Sequence, residues 1–177
     1  MSQAFNKDIM EWVHFPEYDL LYTDPPWGER MAKSFATMQY KATGVRPEID
    51  FVAIMYKLAS YADCLKPMVI EFAAKDWETV VEIMENHNHV LTGVHPRIQS
   101  MGRTFVLLTF NAEITFGETT KGFDLIGEAI RQTGAKTVFD PFAGIGQTAK
   151  AAIKAGAEYI GSEINPARYE RLVKVIS

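Results

Sequence analysis

Cysteine is almost absent. Cys64 is the only one in 177 residues, so no internal disulfide can form, and no Cys/His spacing describes a zinc site. Its helical neighbours make it a core side chain rather than a nucleophile, and a reducing, cytoplasmic setting is expected. No apolar run approaches bilayer-spanning length, and Met1 to Asp8 lacks the basic-then-apolar build of a signal peptide, so no membrane partner is expected. Repeats, low-complexity tracts and linkers are missing as well. Nor is there a surplus of bases. The net charge of −4 argues against indiscriminate nucleic-acid binding, which depends on a basic face. What remains is an ordinary globular composition, 47% hydrophobic and 23% charged, enough for one domain over 1–177 with a sizeable core.

Bases are nevertheless concentrated locally. Between Gly28 and Pro47, Arg30, Lys33, Lys41 and Arg46 stand against Glu29 alone, and Arg97 and Arg103 fall in a second stretch without acids. Both stretches read as loops, and a solvated charge run explains each of them as well as a phosphate contact does. Strand-like segments cover Tyr18 to Thr23, Met68 to Phe72, Val90 to Val94, Arg103 to Phe110, Thr137 to Phe139 and Tyr159 to Ser162. Helical spacing covers Ile49 to Leu65, Asp76 to Glu85, Phe123 to Arg131 with Gly134 as its C-cap, Gln147 to Lys154, and Pro166 to Val175. The alternation predicts an α/β domain. Its sheet is mostly parallel with helices on both faces, and the Val90 and Arg103 strands form an antiparallel edge hairpin around a loop from His95 to Gly102.

Two runs carry the chemistry. Asp24-Pro25-Pro26-Trp27 ends the first buried strand; Asp140-Pro141-Phe142-Ala143-Gly144-Ile145-Gly146 follows a later one and opens a helix. Both belong at the carboxyl edge of one sheet, where α/β proteins bind ligands. A lone G-x-G is weak, since a plain strand-to-helix turn explains it. Glu163, about twenty residues on at the next strand tip, strengthens it, because a carboxylate there can accept both hydroxyls of a ribose. The third glycine of a pyrophosphate cradle is missing, which favours a nucleoside cofactor. For Asp24 to Trp27 the bland reading is a strand-terminal turn with a core tryptophan.

The stretch Phe139 to Leu172 resembles the S-adenosylmethionine motif of the amino-methyltransferases that modify nucleic-acid bases, with the D-P-P-aromatic motif placed before it as in the permuted β-group. The resemblance implies a Rossmann-like methyltransferase fold. It also implies cofactor contacts by Asp140, Pro141, Phe142, Ala143, Gly144, Gly146, Glu163 and Asn165. Thr119 to Ile126 is similar to the family's T-x-K-P-x-x-L-I segment, which adds Thr120 and Lys121, with Gly122 standing where proline is usual. Asn6 to Ile9 is similar to the element whose acid, here Asp8, approaches the cofactor's adenine; an Asp at that place is equally a helix cap.

Methyl transfer to an exocyclic amine needs the nitrogen lone pair aimed in line at the methyl carbon. Asp24 and the Pro25 carbonyl can accept the two N–H protons, Pro25 and Pro26 stiffen the loop, and Trp27 can stack on the base. An acid at the first position resembles adenine-N6 enzymes more than cytosine-N4 enzymes. A base inside a duplex must be flipped out; Trp12, Phe35 and Tyr40 are candidate wedges, each equally a packing residue. Arg30, Lys33, Lys41, Arg46, Arg97 and Arg103 are candidate phosphate contacts. The expected activity is adenine-N6 methylation of DNA. An RNA adenine methyltransferase or a non-catalytic subunit of the same fold are the alternatives. Little chain is left between the motifs for target recognition, so a short or relaxed recognition sequence, a homodimer or a separate recognition subunit is expected. No metal is.

Overall fold

The computed structural model describes residues 1–98 and 104–177. In chain order its strands are β1 (Gln3–Phe5), β2 (Leu20–Thr23), β3 (Met68–Ala73), β4 (Leu91–Ile98), β5 (Thr104–Phe110), β6 (Thr137–Asp140) and β7 (Glu158–Ser162). Its α-helices are α1 (Glu29–Thr43), α2 (Phe51–Tyr61), α3 (Trp77–Glu85), α4 (Phe123–Thr133), α5 (Gln147–Lys154) and α6 (Pro166–Ile176), with a 3-10 turn at Ile9–Glu11. Successive strand residues point to opposite faces. Leu21, Met68, Ile70, Phe72 and Phe139 therefore build one core beneath α2, α3 and the segment from Ile9 to Tyr18. Leu20, Tyr22, Val69, Val138 and Tyr159 build the other beneath α4, α5 and α6. A parallel sheet has to be covered on both sides in this way.

The seven strands lie in the order β1-β7-β6-β2-β3-β5-β4. Every neighbouring pair is parallel except those made by β5, which runs antiparallel to both β3 and β4. The order reverses between β6 and β2: from β6 the chain moves through α5 to β7 on one side, from β2 through α1 and α2 to β3 on the other. Outside the carboxyl ends of two such strands lies a crevice that no crossover fills. Both motif loops start there, at Thr23 and at Asp140.

Several elements differ from the linear reading. The polar stretch after Gly28 is not a loop but the fifteen-residue helix α1, ended by Gly44 in the left-handed region. Its buried positions are Ala32, Ala36 and Gln39, while Met31, Met38 and Tyr40 are exposed. So narrow a face of small side chains leaves no apolar stripe to detect, although the residues themselves favour a helix. The expected loop from His95 to Gly102 is strand as far as Ile98, with Pro96 tolerated because β4 is an edge. Cys64 is exposed in the turn between α2 and β3, not in the core. β1 is too short to show a period; it pairs with β7 through Gln3, Ala4 and Phe5.

Gly146 closes the turn between β6 and α5 and is held at φ 87. A Cβ there would stand 3.1 Å from the Leu172 side chain of α6 and 3.4 Å from Val175. Gly146→Ala is expected to cost roughly 1–3 kcal/mol, from backbone strain and overpacking together. Urea unfolding monitored by circular dichroism checks this.

Candidate active site

The loop after β6 is pinned to both flanking strands. Asp140, only 2% exposed, accepts at one oxygen from the Thr23 hydroxyl of β2 (2.8 Å) and from the Phe142 amide (3.0 Å). The Ser162 hydroxyl of β7 donates to the Pro141 carbonyl (3.1 Å), and the Ala143 amide donates to the Ser162 carbonyl (2.9 Å). Burial is the main influence on Asp140 and pushes its carboxyl up to about 6, against the pull of hydrogen bonds from Thr148, Thr23 and Phe142. Its acceptors are taken by the protein, so Asp140 organises the loop.

Around this loop lies one continuous pocket. Its floor is Asp140, Phe142, Ala143 and Gly144; Ser162, Glu163 and Asn165 close the β7 side, and Lys7 and Asp8 lie at the mouth. Phe35, Met38 and Gln39 of α1 form a roof, with Ile49 and Ile54 as apolar wall. Asp24 and Pro26 reach into the same pocket from β2. Glu163 is 7% exposed, and one oxygen accepts from the Asn165 amide at 2.8 Å. The other oxygen lies 4.0 Å from Arg168. Burial raises its carboxyl above the usual range, against the Asn165 amide, Arg168 and the Gly144 amide. A buried acid at one end and apolar walls along the sides suit a nucleoside, whose diol and planar ring make those demands.

At the other end, the Trp27 indole N–H donates to Asp24 Oδ1 at 2.6 Å, and the ring lies parallel to Phe105 with centroids 6.4 Å apart. Asp24 is exposed where its surface opens onto the pocket, with the protein crowding its other side. The crowding raises its carboxyl well above the usual range, with the Glu71 carboxylate adding to the rise; the Trp27 N–H and Arg168 oppose it. Water in the pocket offsets part of the desolvation.

Pro25 is buried behind Asp24 and does not line the pocket. Asp8 accepts from the Met10 amide (2.9 Å), capping the 3-10 turn, and it also lines the pocket. Thr120 and Lys121 lie away from it. The Thr120 hydroxyl donates to Glu128 of α4 (2.8 Å), Lys121 is exposed, and Gly122 has φ 53, which a proline ring cannot adopt. Arg97 is turned inward, not toward a phosphate: its guanidinium donates to the carbonyls of Pro96 (2.8 Å) and Phe116 (3.1 Å). Trp12 is core, packed edge-on against Phe5, Phe15 and Phe139. Arg30, Lys33 and Lys41 sit on the exposed side of α1 and Arg46 just beyond it, with Lys33 3.3 Å from Glu29. Arg103 lies outside the described residues. Tyr40 is exposed, and Phe35 lies under Arg168, 5.2 Å from ring centre to guanidinium carbon.

Lys7, Gln39 and Arg168 are pocket residues that the motifs did not mark. Gln39 ties roof to wall, donating to the Ile164 carbonyl (3.1 Å) and accepting from Asn165 Nδ2 (3.1 Å). Its signal was a polar residue on the narrow alanine face of α1, readable only once that helix is recognised. Among the described residues there is no cluster able to hold a metal, and no helix is long and apolar enough to cross a membrane.

An open sheet with a pocket of this build at its switch point is a methyltransferase fold. The family profile N6_N4_Mtase, described as DNA methylase, matches residues 111–174, the part that builds the cofactor side. Structural likeness extends over the whole chain. The crystal structure titled M1.HpyAVI-SAM complex superposes with a TM-score of 0.70 at 15% identity, covering 100% of each chain. TTHA0409, titled a putative DNA modification methylase from Thermus thermophilus, gives 0.66 at 15% identity, covering 99% of this chain and 94% of the other. The PvuII DNA methyltransferase, titled cytosine-N4-specific, gives 0.64 at 10% identity, covering 99% and 86%. No curated protein matches the sequence. The chain thus shares its fold with these structures throughout, and the family model matches it over 111–174.

Proposed function

We propose that the protein methylates the N6 amino group of adenine in DNA with S-adenosylmethionine as donor. The observation that supports this most directly is that Asp24 and the Gly144–Glu163 end line one pocket at the switch point. S-adenosylmethionine supplies an electrophilic methyl group on a sulfonium. Glu163 accepts the ribose hydroxyls, Asp8 and Lys7 lie at the adenine end, and Phe142, Ile49 and Ile54 give apolar contact. Asp24 accepts one N–H of the target amine, and the Pro25 carbonyl accepts the other if the base enters along Asp24. The lone pair is then left pointing toward the donor. Trp27 orients Asp24 through its indole N–H, a task beyond the base stacking its motif suggests. An acid at this position favours an aminopurine over the cytosine of the N4 relative.

Arg30, Lys33, Lys41 and Arg46 are on hand to hold phosphates around a flipped base. Between β2 and β6 the chain supplies three strands of the sheet and four of its helices. We therefore propose one methyltransferase domain with a short or relaxed recognition sequence. Mass spectrometry of nucleosides from DNA incubated with protein and S-adenosylmethionine tests the reading: N6-methyladenine is expected, and N4-methylcytosine alone, or methylation of RNA alone, overturns it. Glu163→Gln is expected to weaken S-adenosylmethionine binding by roughly 1–3 kcal/mol, since a charged acceptor of the diol is lost. Titration calorimetry reads this directly.

A further inference from the structure

A second acid stands beside the reacting one. The register of β2 on β3 runs Leu21 to Met68, Tyr22 to Val69 and Thr23 to Ile70, so the next residues along, Asp24 and Glu71, are neighbours across the two strands. Glu71 is fixed by the hydroxyl of Tyr22, which is fully buried and donates to Glu71 Oε1 at 2.8 Å. Among the described residues no Lys, Arg or His lies within ion-pair distance of Glu71. A half-buried glutamate in the middle of a central strand, without a cation, is costly. The cofactor side does not use it, and a hydrophobic residue would serve the fold better there.

We propose that Glu71 is a positioning residue for methyl transfer: held by Tyr22 on the strand beside Asp24, its charge sets how readily Asp24 ionises and so when Asp24 can accept the hydrogen bond of the target amine. The proposal rests on the methyl-transfer reading above. A negative charge at the neighbouring strand position raises the pH at which a carboxyl ionises, and the two titrations are linked. The other groups facing this pair are few. Asp140 on β6 adds negative charge to both; Arg168 on α6 and the Trp27 N–H favour ionised Asp24; the Tyr22 hydroxyl favours ionised Glu71. Burial raises both carboxyls, and the Glu71 charge adds to the rise of Asp24. Asp24 is competent when it is ionised, which a neutral Glu71 favours.

The test is kcat/KM on DNA against pH for wild type and Glu71→Gln, together with a carbon-13 NMR titration of the Asp24 carboxyl in the same proteins. Removing the neighbouring charge should let Asp24 ionise at lower pH, so the acid limb of the rate profile and the Asp24 titration should both move down by about one pH unit, about tenfold in rate along the limb. Should Glu71→Gln fail to fold, Tyr22→Phe serves instead: without its donor Glu71 keeps the proton more readily, and the limb moves the same way by less. An active wild type whose limb and Asp24 titration stay put in the folded variants overturns the role of Glu71 alone. A wild type with no methyl transfer at any pH overturns the functional reading itself, whatever the NMR titration shows. A purely structural Glu71 would lower the rate equally at every pH and move neither limb nor titration.

Discussion

Asp24→Ala is expected to lower kcat for DNA methylation by at least about a thousandfold while changing S-adenosylmethionine affinity by less than about twofold. The separation of effects follows from the geometry. Asp24 enters the pocket from β2, whereas Gly144, Glu163 and Asn165, the proposed nucleoside end, line it beyond β6 and β7. An exocyclic amine on a purine is a weak nucleophile, because its lone pair is delocalised into the ring. Withdrawing the acceptor that fixes its N–H direction removes the in-line arrangement and the stabilisation of positive charge developing on nitrogen. Asp24→Asn keeps the shape but offers half the acceptors and no charge, and should recover little. Single-turnover transfer of a labelled methyl group, with calorimetry for the cofactor, measures both parameters. A variant with normal turnover and weakened cofactor binding would reverse the assignment of the two ends.

The largest effect on stability is expected from Asp140→Ala. Its carboxyl is the bond between the two motif strands, accepting from Thr23 and Phe142 at a site that water does not reach. Truncation leaves a buried hydroxyl and a buried amide unpaired. The expected loss is about 3 kcal/mol, or a fall in Tm of roughly 6–12 °C for a chain of this size. Asp140→Asn behaves differently, because both short bonds converge on one oxygen that asparagine also carries; little stability should be lost. The pH dependence separates the two variants from wild type. The Asp140 carboxyl is raised to about 6, above its unfolded value of about 3.9, so the native state binds the proton more tightly. Between those values stability falls as pH rises, and the contribution is fully present below about 4. Wild type should therefore gain Tm from this group as pH drops from 7 toward 4, and Asp140→Asn should lose that part of the slope. Differential scanning calorimetry across this range decides it.

Strands and helices with strong apolar periods were legible from the chain alone. Gln147–Lys154 and the Gly134 cap stand where the pattern puts them, and β5 forms the antiparallel partner foreseen for the edge. Both chemical motifs were legible because rare residues sit at strand ends, where the chain must turn. α1 escaped because its buried face is two alanines and a glutamine, and packing against a pocket roof needs no apolar stripe. Lys7, Gln39, Arg168 and Glu71 escaped for another reason: each becomes informative only through a neighbour distant in sequence. Glu71 matters because Asp24 lies on the adjoining strand, and Gln39 because Asn165 lies 126 positions away. Arg97 is the reverse case, a base in a polar stretch whose guanidinium donates to the carbonyls of Pro96 and Phe116.

The indole of Trp27 has a further consequence through its seat on Phe105. Phe105 belongs to β5, three strands from β6 in the sheet. On the proposed function, the aim of the acid is inherited from one flank of the molecule and the donor's berth from the other. How far apart the two reactants are held is then a property of the pitch from strand to strand across that span, which no single loop can reset.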